Sequence, residues 1–213
     1  MIAIVPIRAG SKGIPDKNIK LLNGKPLVWW VLDALQNSNV DQIIVATDKK
    51  YKNLIQGFDM KLTTYIRDPK NSKDESSTED VLIEVITNLN LNNDIILVQA
   101  TSPLTTSTDI NNGIEMYKEF DSVLSVVKQK RFIWHRNGSP LNYSTSNRPR
   151  RQDWDGYYVE NGAFYINHSS KILKDNNRLS GNIGCSIMND KTYFEIDSED
   201  DWEIVENIIK QKL

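Results

Sequence analysis

An α/β fold, with a mostly parallel sheet whose strands are joined by crossover helices, is what the sequence predicts; one observation carries that reading and two more bound it. Short β-branched runs alternate along the chain with segments of helical period. The 213 residues, 39% hydrophobic and 25% charged, suffice for one sizeable core and are few for two, so a single domain over 1–213 with at most an appended arm is expected. The longest apolar stretch, Leu27 to Leu32, is far shorter than a bilayer span, so no membrane partner is expected.

The elements follow in order. Met1 to Ile7 is apolar but lacks a basic leader and a cleavage-like site, so Ile2 to Ile7 reads as a first strand rather than a signal peptide. Pro26 to Asn37 carries apolar side chains on most faces, as a helix packed on a sheet would. Strands are expected at Gln42 to Thr47, Leu62 to Ile66, Asp94 to Gln99 and Ser122 to Val127. Val81, Leu82, Val85, Ile86 and Leu89 form a stripe of helical period behind the cap and acidic first turn Ser77-Thr78-Glu79-Asp80. Asp109 to Glu119 is a weaker helix. Later strands are drawn at Ala163 to Asn167 and Thr192 to Ile196. The chain closes on a helix capped by Ser198, with Trp202, Val205, Ile208 and Ile209 on one face. Strand ends then fall at Arg8, Asp48, Arg67, Ala100 and Lys128, and in an open α/β sheet the loops after such ends form the ligand crevice.

Charge narrows the function classes. Lys and Arg number 26 against 28 Asp and Glu, a net charge of -2, which argues against a protein that coats nucleic acid. Any anion is bound locally. Residues 128 to 152 nevertheless hold seven cations (Lys128, Lys130, Arg131, Arg136, Arg148, Arg150, Arg151) among aromatics and no carboxylate, which reads as an inserted arm. Such a mixture could grip single-stranded nucleic acid or an acidic small molecule. The lone Cys185 cannot form a disulfide within the chain, which suits a reducing, cytoplasmic setting. His135 and His168 lack zinc-ligand spacing.

Directly after the first strand comes Arg8-Ala9-Gly10-Ser11-Lys12-Gly13-Ile14-Pro15-Asp16-Lys17-Asn18. Its two glycines let the backbone turn closely around a ligand, and Arg8, Lys12 and Lys17 place three cations in one loop, which suits a polyphosphate. Neither the Walker pattern nor GxGxxG is present. A solvated basic turn is the alternative.

With its flanks, the run Ile4 to Ile19 resembles the amino-terminal signature of the acylneuraminate cytidylyltransferases, the CMP-sialic acid synthetase family, which includes enzymes for legionaminic and pseudaminic acids. Further matches follow in order: Arg67-Asp68-Pro69, Asp74 to Asp80, Leu97-Val98-Gln99-Ala100-Thr101-Ser102-Pro103-Leu104 beside the family's LLQPTSPLR, Asn161-Gly162-Ala163-Phe164-Tyr165 beside NGAIY, and Glu195-Ile196-Asp197 beside DID. The resemblance implies a three-layer fold like that of the nucleotide-diphospho-sugar transferases. It also implies CMP transfer from CTP to an acidic nine-carbon sugar, with magnesium or manganese, in a homodimer free of nucleic acid and membrane.

Carried over residue by residue, the resemblance has Arg8, Lys12 and Lys17 hold the CTP phosphates, with Ala9, Gly10, Ser11, Gly13 and Asn18 around the nucleotide. Arg67, Ser77 and Gln99 line its cytidine end. Gln99, Arg151, Asn161, Gly162 and Tyr165 meet the sugar, and Asp197 and Glu195 hold the metal, Asp197 counting also as catalytic. Residues 128–160 become a sugar-binding and dimerisation arm. Each assignment has a plainer counterpart: Ser77 as helix cap, Arg67 as a surface charge, Tyr165 as core, and the acidic pair as part of the helix start at Glu199 to Asp201. Arg148 competes with Arg151 for the sugar carboxylate. Asp48 reads as a cap for the following helix rather than a catalytic group. One departure stands out, because the family usually has Asp where this chain has Glu195. Glu195 and Asp197, two apart on an expected strand, would point the same way.

Overall fold

A computed structural model of the chain describes residues 1–11, 13–72 and 76–211. Lys12 and Asp74, both singled out above, lie outside the described residues. The chain starts with β1 (Ile2–Pro6), followed by a short hairpin of β2 (Leu21–Leu22) and β3 (Lys25–Pro26), then α1 (Leu27–Gln36), β4 (Gln42–Thr47), α2 (Lys52–Gln56) and β5 (Thr63–Ile66). Next are α3 (Thr78–Asn88), β6 (Asp94–Val98), α4 (Ser107–Met116) and β7 (Ser122–Gln129). The last third supplies β8 (Tyr157–His168), α5 (Ser169–Asp175), β9 (Ile183–Met188) and α6 (Glu199–Lys210).

Seven strands form one sheet in the order β5-β4-β1-β6-β8-β7-β9. All neighbours pair in parallel except at β8, which runs antiparallel to both β6 and β7. The period-2 alternation of β1 sets the layers. Ala3, Val5 and Ile7 face a core completed by Val28, Val31, Leu32 and Leu35 of α1 and Ile110 of α4. Ile2 and Ile4 face the opposite layer, where Val81, Leu82, Val85 and Ile86 of α3 and Ile172 of α5 close over them. Both faces of β1 are therefore buried, as a central parallel strand requires. A third cluster seats α6, through Trp202, Val205 and Ile209, against Ile14, Leu22, Leu27, Leu104 and Ile196. This docking brings the two ends of the chain together. Among the described residues, no helix is long and apolar enough to cross a membrane.

Capping boxes start three helices: Ser77 with Asp80 on α3, Thr106 with Asp109 on α4, and Ser198 with Asp201 on α6. Each side-chain cap is worth about 1 kcal/mol, and the Thr106 cap explains why α4 begins two residues before the expected Asp109.

The sequence reading needs correction after β7. Thr192 to Ile196 is no strand; Asp190–Tyr193 is a 3-10 turn whose N-cap Asn189 accepts from the Lys191 N–H, and Thr192 Oγ1 donates back to the Asn189 carbonyl at 2.7 Å. Local side-chain bonds outcompete a ladder here. The sheet edge is β9 instead, an alternating segment whose Ile183 and Ile187 remain exposed. β8 starts at Tyr157 rather than Ala163, because β7 continues to Gln129 and pairs with it across a bulge between Leu124 and Val126. At the bulge, Ser125 Oγ accepts the Phe164 N–H at 3.0 Å. Residues 130–156 are largely irregular, with isolated bridges at Trp134–Pro140 and Ser144–Asn147.

Candidate active site

Chain order reverses at β1: the next strands of the sheet, β4 and β5, lie to one side and β6 to the other. Diverging loops at such a switch leave a crevice beyond the strand C-termini. A cavity of about 340 Å³ occupies that position. Its walls are Pro6, Ile7 and Arg8 after β1, Gln99, Ala100 and Thr101 after β6, Arg67 after β5, and Ser76 to Thr78 with Val81 at the start of α3. Ser11, Gly13, Lys17 and Asn18 of the basic loop and Asp197 ahead of α6 complete it.

The basic loop is held at many points. Asn18 is buried and its Nδ2 donates to the Arg8 carbonyl at 3.1 Å, pulling the loop closed. Gly10 takes φ 81°, a conformation that favours glycine. Asp16 accepts from Lys50 Nζ at 2.8 Å and from the Tyr51 hydroxyl, which holds its carboxyl below the usual range. Lys17 Nζ donates to the Ile196 carbonyl at 2.7 Å and to Asp197 Oδ1 at 2.9 Å. Gly13 lies so close to this segment that a Cβ there would stand 2.6 Å from the Asp197 carbonyl oxygen. One lysine thus ties two segments 180 positions apart into one wall.

In the wall after β5, Arg67 is no surface charge: its side chain is 4% exposed and Nη2 donates to Asp48 Oδ1 at 2.9 Å. Its Nε is buried and has no hydrogen-bond partner among the described residues. A buried donor without a partner is costly, and this one belongs to a residue of the cavity wall. Asp48 makes no side-chain cap to the turn that follows it, contrary to expectation; its other oxygen accepts the Ala9 N–H at 2.6 Å. Ser77 caps α3 and also lines the cavity.

The acidic pair sits on irregular chain, which corrects the expectation of two side chains aligned on a strand. The Ile196 N–H donates to the Thr101 carbonyl at 2.8 Å and anchors the segment beneath β6. Asp197 reaches into the open, with 73% of its side chain exposed. Glu195 is more enclosed and accepts from Thr101 Oγ1 at 2.9 Å. Burial pushes the Glu195 carboxyl up, the Thr101 bond works against this, and neighbouring Asp197 adds to the rise. Gly162, at φ 66°, makes room for it: a Cβ there would stand 2.8 Å from Glu195 Oε2.

The residues expected at the sugar are more dispersed. Asn161 is buried and donates to the Thr192 carbonyl at 3.2 Å, holding the turn before the acidic pair. Tyr165 is buried, its hydroxyl donates to Glu160, and the Arg178 guanidinium lies 4.7 Å from its ring centroid. Burial and Glu160 push the Tyr165 phenol well up. Arg178 in turn donates twice to Glu79 in the first turn of α3, which lowers the Glu79 pKa. Arg151 lies at a separate cavity of about 570 Å³ with Arg131, Tyr157, Tyr193 and Phe194. Sequence reasoning missed Asp48 as a wall-builder and Arg178 altogether. Only the strand-end position of Asp48 could have drawn attention to either.

Known proteins resemble this chain at three levels. The N-acylneuraminate cytidylyltransferase B of Danio rerio is 37% identical over 96% of this chain and 50% of its own length. The N-acylneuraminate cytidylyltransferase of Oncorhynchus mykiss is 38% identical over 96% and 49%, and that of Streptococcus agalactiae 27% over 94% and 51%. The chain thus spans about half the length of the curated relatives it matches. In fold it is similar to a CMP:2-keto-3-deoxy-manno-octonic acid synthetase solved with CTP, with TM-score 0.72, 18% identity, and coverage of 100% and 99% of the two chains. It is similar also to the 4-diphosphocytidyl-2C-methyl-D-erythritol synthase of Anaerococcus prevotii, with TM-score 0.68, 12% identity and 98% coverage of each. These two show the α/β nucleotidyltransferase fold. A family model described as cytidylyltransferase matches residues 2–208, essentially the whole sheet and the cavity at its switch, so the chain belongs to the cytidylyltransferase family.

Proposed function

We propose that this protein transfers CMP from CTP to the anomeric hydroxyl of a nonulosonic, sialic-like acid, releasing pyrophosphate. The observation that carries the reading is the convergence of Arg8, Lys17, Arg67 and Asp197 on one cavity at the switch point of the sheet, in a chain whose curated relatives are named for N-acylneuraminate. The hydroxyl attacks the α-phosphorus in line, and negative charge grows on the phosphoryl oxygens and the departing pyrophosphate. Arg8, Lys12 and Lys17 stabilise that charge; for Lys17, whose ammonium is already held by the Ile196 carbonyl and Asp197, little has to reorganise as the charge develops. Asn18 closes the loop around the phosphates. Arg67, Ser77 and Gln99 orient the cytidine, with Gln99 also turned to the sugar.

Magnesium, or manganese, belongs at Asp197 with Glu195 beside it. Two carboxylate side chains next to a phosphate site suit a hard ion that takes one or two protein carboxylates and fills its other positions with phosphate and water oxygens. In this structure Lys17 Nζ donates to Asp197 Oδ1, a contact that an ion at this oxygen would have to displace. When bound, the ion neutralises charge on the β and γ phosphates.

Tyr165 and Arg151, with Asn161 and Gly162 supporting, serve the acidic sugar, and residues 128–160 join two copies into a homodimer that builds cell-surface polysaccharide precursors in the cytoplasm. The test is pyrophosphate release from CTP across a panel of sugar acids. Turnover with an N-acylneuraminate-like acid supports the reading; turnover with 3-deoxy-manno-octulosonate alone moves the substrate to the shorter acid, and none with any acid leaves a binding module.

A further inference from the structure

We infer that Asp48 is a positioning residue of the nucleotide site, a carboxylate that joins the two loops on either side of the cavity. The inference rests on the reading of that cavity as the CTP site. Asp48 ends β4, the strand between β1 and β5 in the sheet, so it stands between the loops that leave its two neighbours. Each of its oxygens serves one of them. Oδ2 accepts the Ala9 N–H at 2.6 Å, inside the basic loop, and Oδ1 accepts Arg67 Nη2 at 2.9 Å, on the loop after β5 that lines the cavity. Its side chain is 15% exposed and that of Arg67 4%.

A cation buried to that degree requires a counter-charge, and Asp48 supplies it through Nη2 while Arg67 Nε keeps no partner among the described residues. The pairing does more than neutralise: a planar guanidinium gripped at one edge has its remaining donors set in direction. At Ala9 the same carboxylate pins the backbone one residue before Gly10, whose φ of 81° favours glycine, between the cavity residues Arg8 and Ser11. Asp48 therefore sets the separation of the two walls without lining the cavity itself. A helix cap would do none of this, and no cap bond is made.

Asp48→Asn keeps the size, removes the charge, and offers an amide that can accept at only one of its two ends. The experiment measures CTP affinity by calorimetry, KM for CTP and for the sugar acid, kcat, and melting of the free protein, in the wild type, Asp48→Asn, Arg67→Met and the double variant. Asp48→Asn is expected to weaken CTP binding and raise its KM by about tenfold or more while the KM for the sugar acid stays within about twofold. The effects of Asp48→Asn and Arg67→Met on CTP affinity should be strongly non-additive, because both break one contact. Should Asp48→Asn not fold, Asp48→Glu, which retains the charge on a longer arm, takes its place, with the same split between CTP and sugar expected. Unchanged CTP affinity, additive effects, or an equal loss towards both substrates overturns the inference. A wild type that does not bind CTP overturns the functional reading itself, and the two failures are told apart by that control.

Discussion

The loop after β1 and the arm between β7 and β8 are both rich in cations, yet the structure treats their charge in opposite ways. In the loop, Lys17 is 12% exposed and clamped by Ile196 and Asp197, and the backbone is fixed by Asn18, Asp16 and Asp48. In the arm, Arg136, Arg148 and Arg150 are exposed, Arg150 pairs with Asp153 three positions on, and Arg148 lies over the Phe132 ring at 4.3 Å. The rings themselves form a local stack, Phe132 against Trp154 at 4.7 Å and Tyr143 at 4.4 Å. Composition alone does not separate the two regions. Partners from distant parts of the chain do, because a charge stabilises a transition state only when its position is settled in advance.

Several measurements would break or sharpen this contrast. The largest effect belongs to the loop: Lys17→Met should lower turnover with CTP by on the order of 100-fold, as should Lys12→Ala, read as steady-state pyrophosphate release. Near-normal turnover in both would reduce the loop to a solvated turn. Next comes the segment that Lys17 grips. Asp197→Asn should cost far more activity than Glu195→Gln, excess magnesium should partly restore only the second, and chelation should stop the wild type. The opposite ordering would reassign the metal site.

In the arm the expected effect is smaller and confined to one substrate. Arg151→Ala should raise the KM for the sugar acid by about tenfold with the KM for CTP unchanged, as for a charge-assisted contact worth about 1.5 kcal/mol. The purified protein should show no oligonucleotide affinity at physiological salt; tight, salt-sensitive binding would make the arm a nucleic-acid grip after all.

The smallest effect tests an ion pair outside the loop. Arg178, donating twice to Glu79, holds the Glu79 pKa below its ordinary 4.5, so the pair adds stability above that pH and loses it as the pH falls through the lowered value. Glu79→Gln should therefore melt below the wild type at pH 7, by about 1–2 kcal/mol, with the gap closing as the pH falls below 4.5. A gap that persists at pH 3 would show packing rather than charge to be at stake.

The first two thirds of the fold was legible from sequence because local rules govern it. Period-2 runs placed β1, β4 and β5 to within one residue, and Ser77 announced α3 through its own side chain. Past β7 the rules become non-local. The second half of β8 was drawn at Ala163 to Asn167, but its start at Tyr157 and the whole of β9 emerge only once their pairing is known, since a bulge and an exposed edge both blur the alternation. At the site, residue types in the loop declared themselves through cations, glycines and a family signature. Asp48 did not, because a carboxylate at a strand end reads equally as a cap.

By itself, then, the sequence determined the fold class, the order of the long strands and helices up to β7 though not the β2–β3 hairpin or the short α2, and the residues that carry the family signature, because hydrophobic period, caps and charge are written within a few residues of one another. Only the tertiary structure decided that Lys17 meets Asp197, that Arg67 is buried against Asp48, and that the acidic pair lies on irregular chain. Those contacts join residues 19 to 180 positions apart. Their geometry follows from how strands are ordered in a sheet and where α6 docks, which no local pattern encodes.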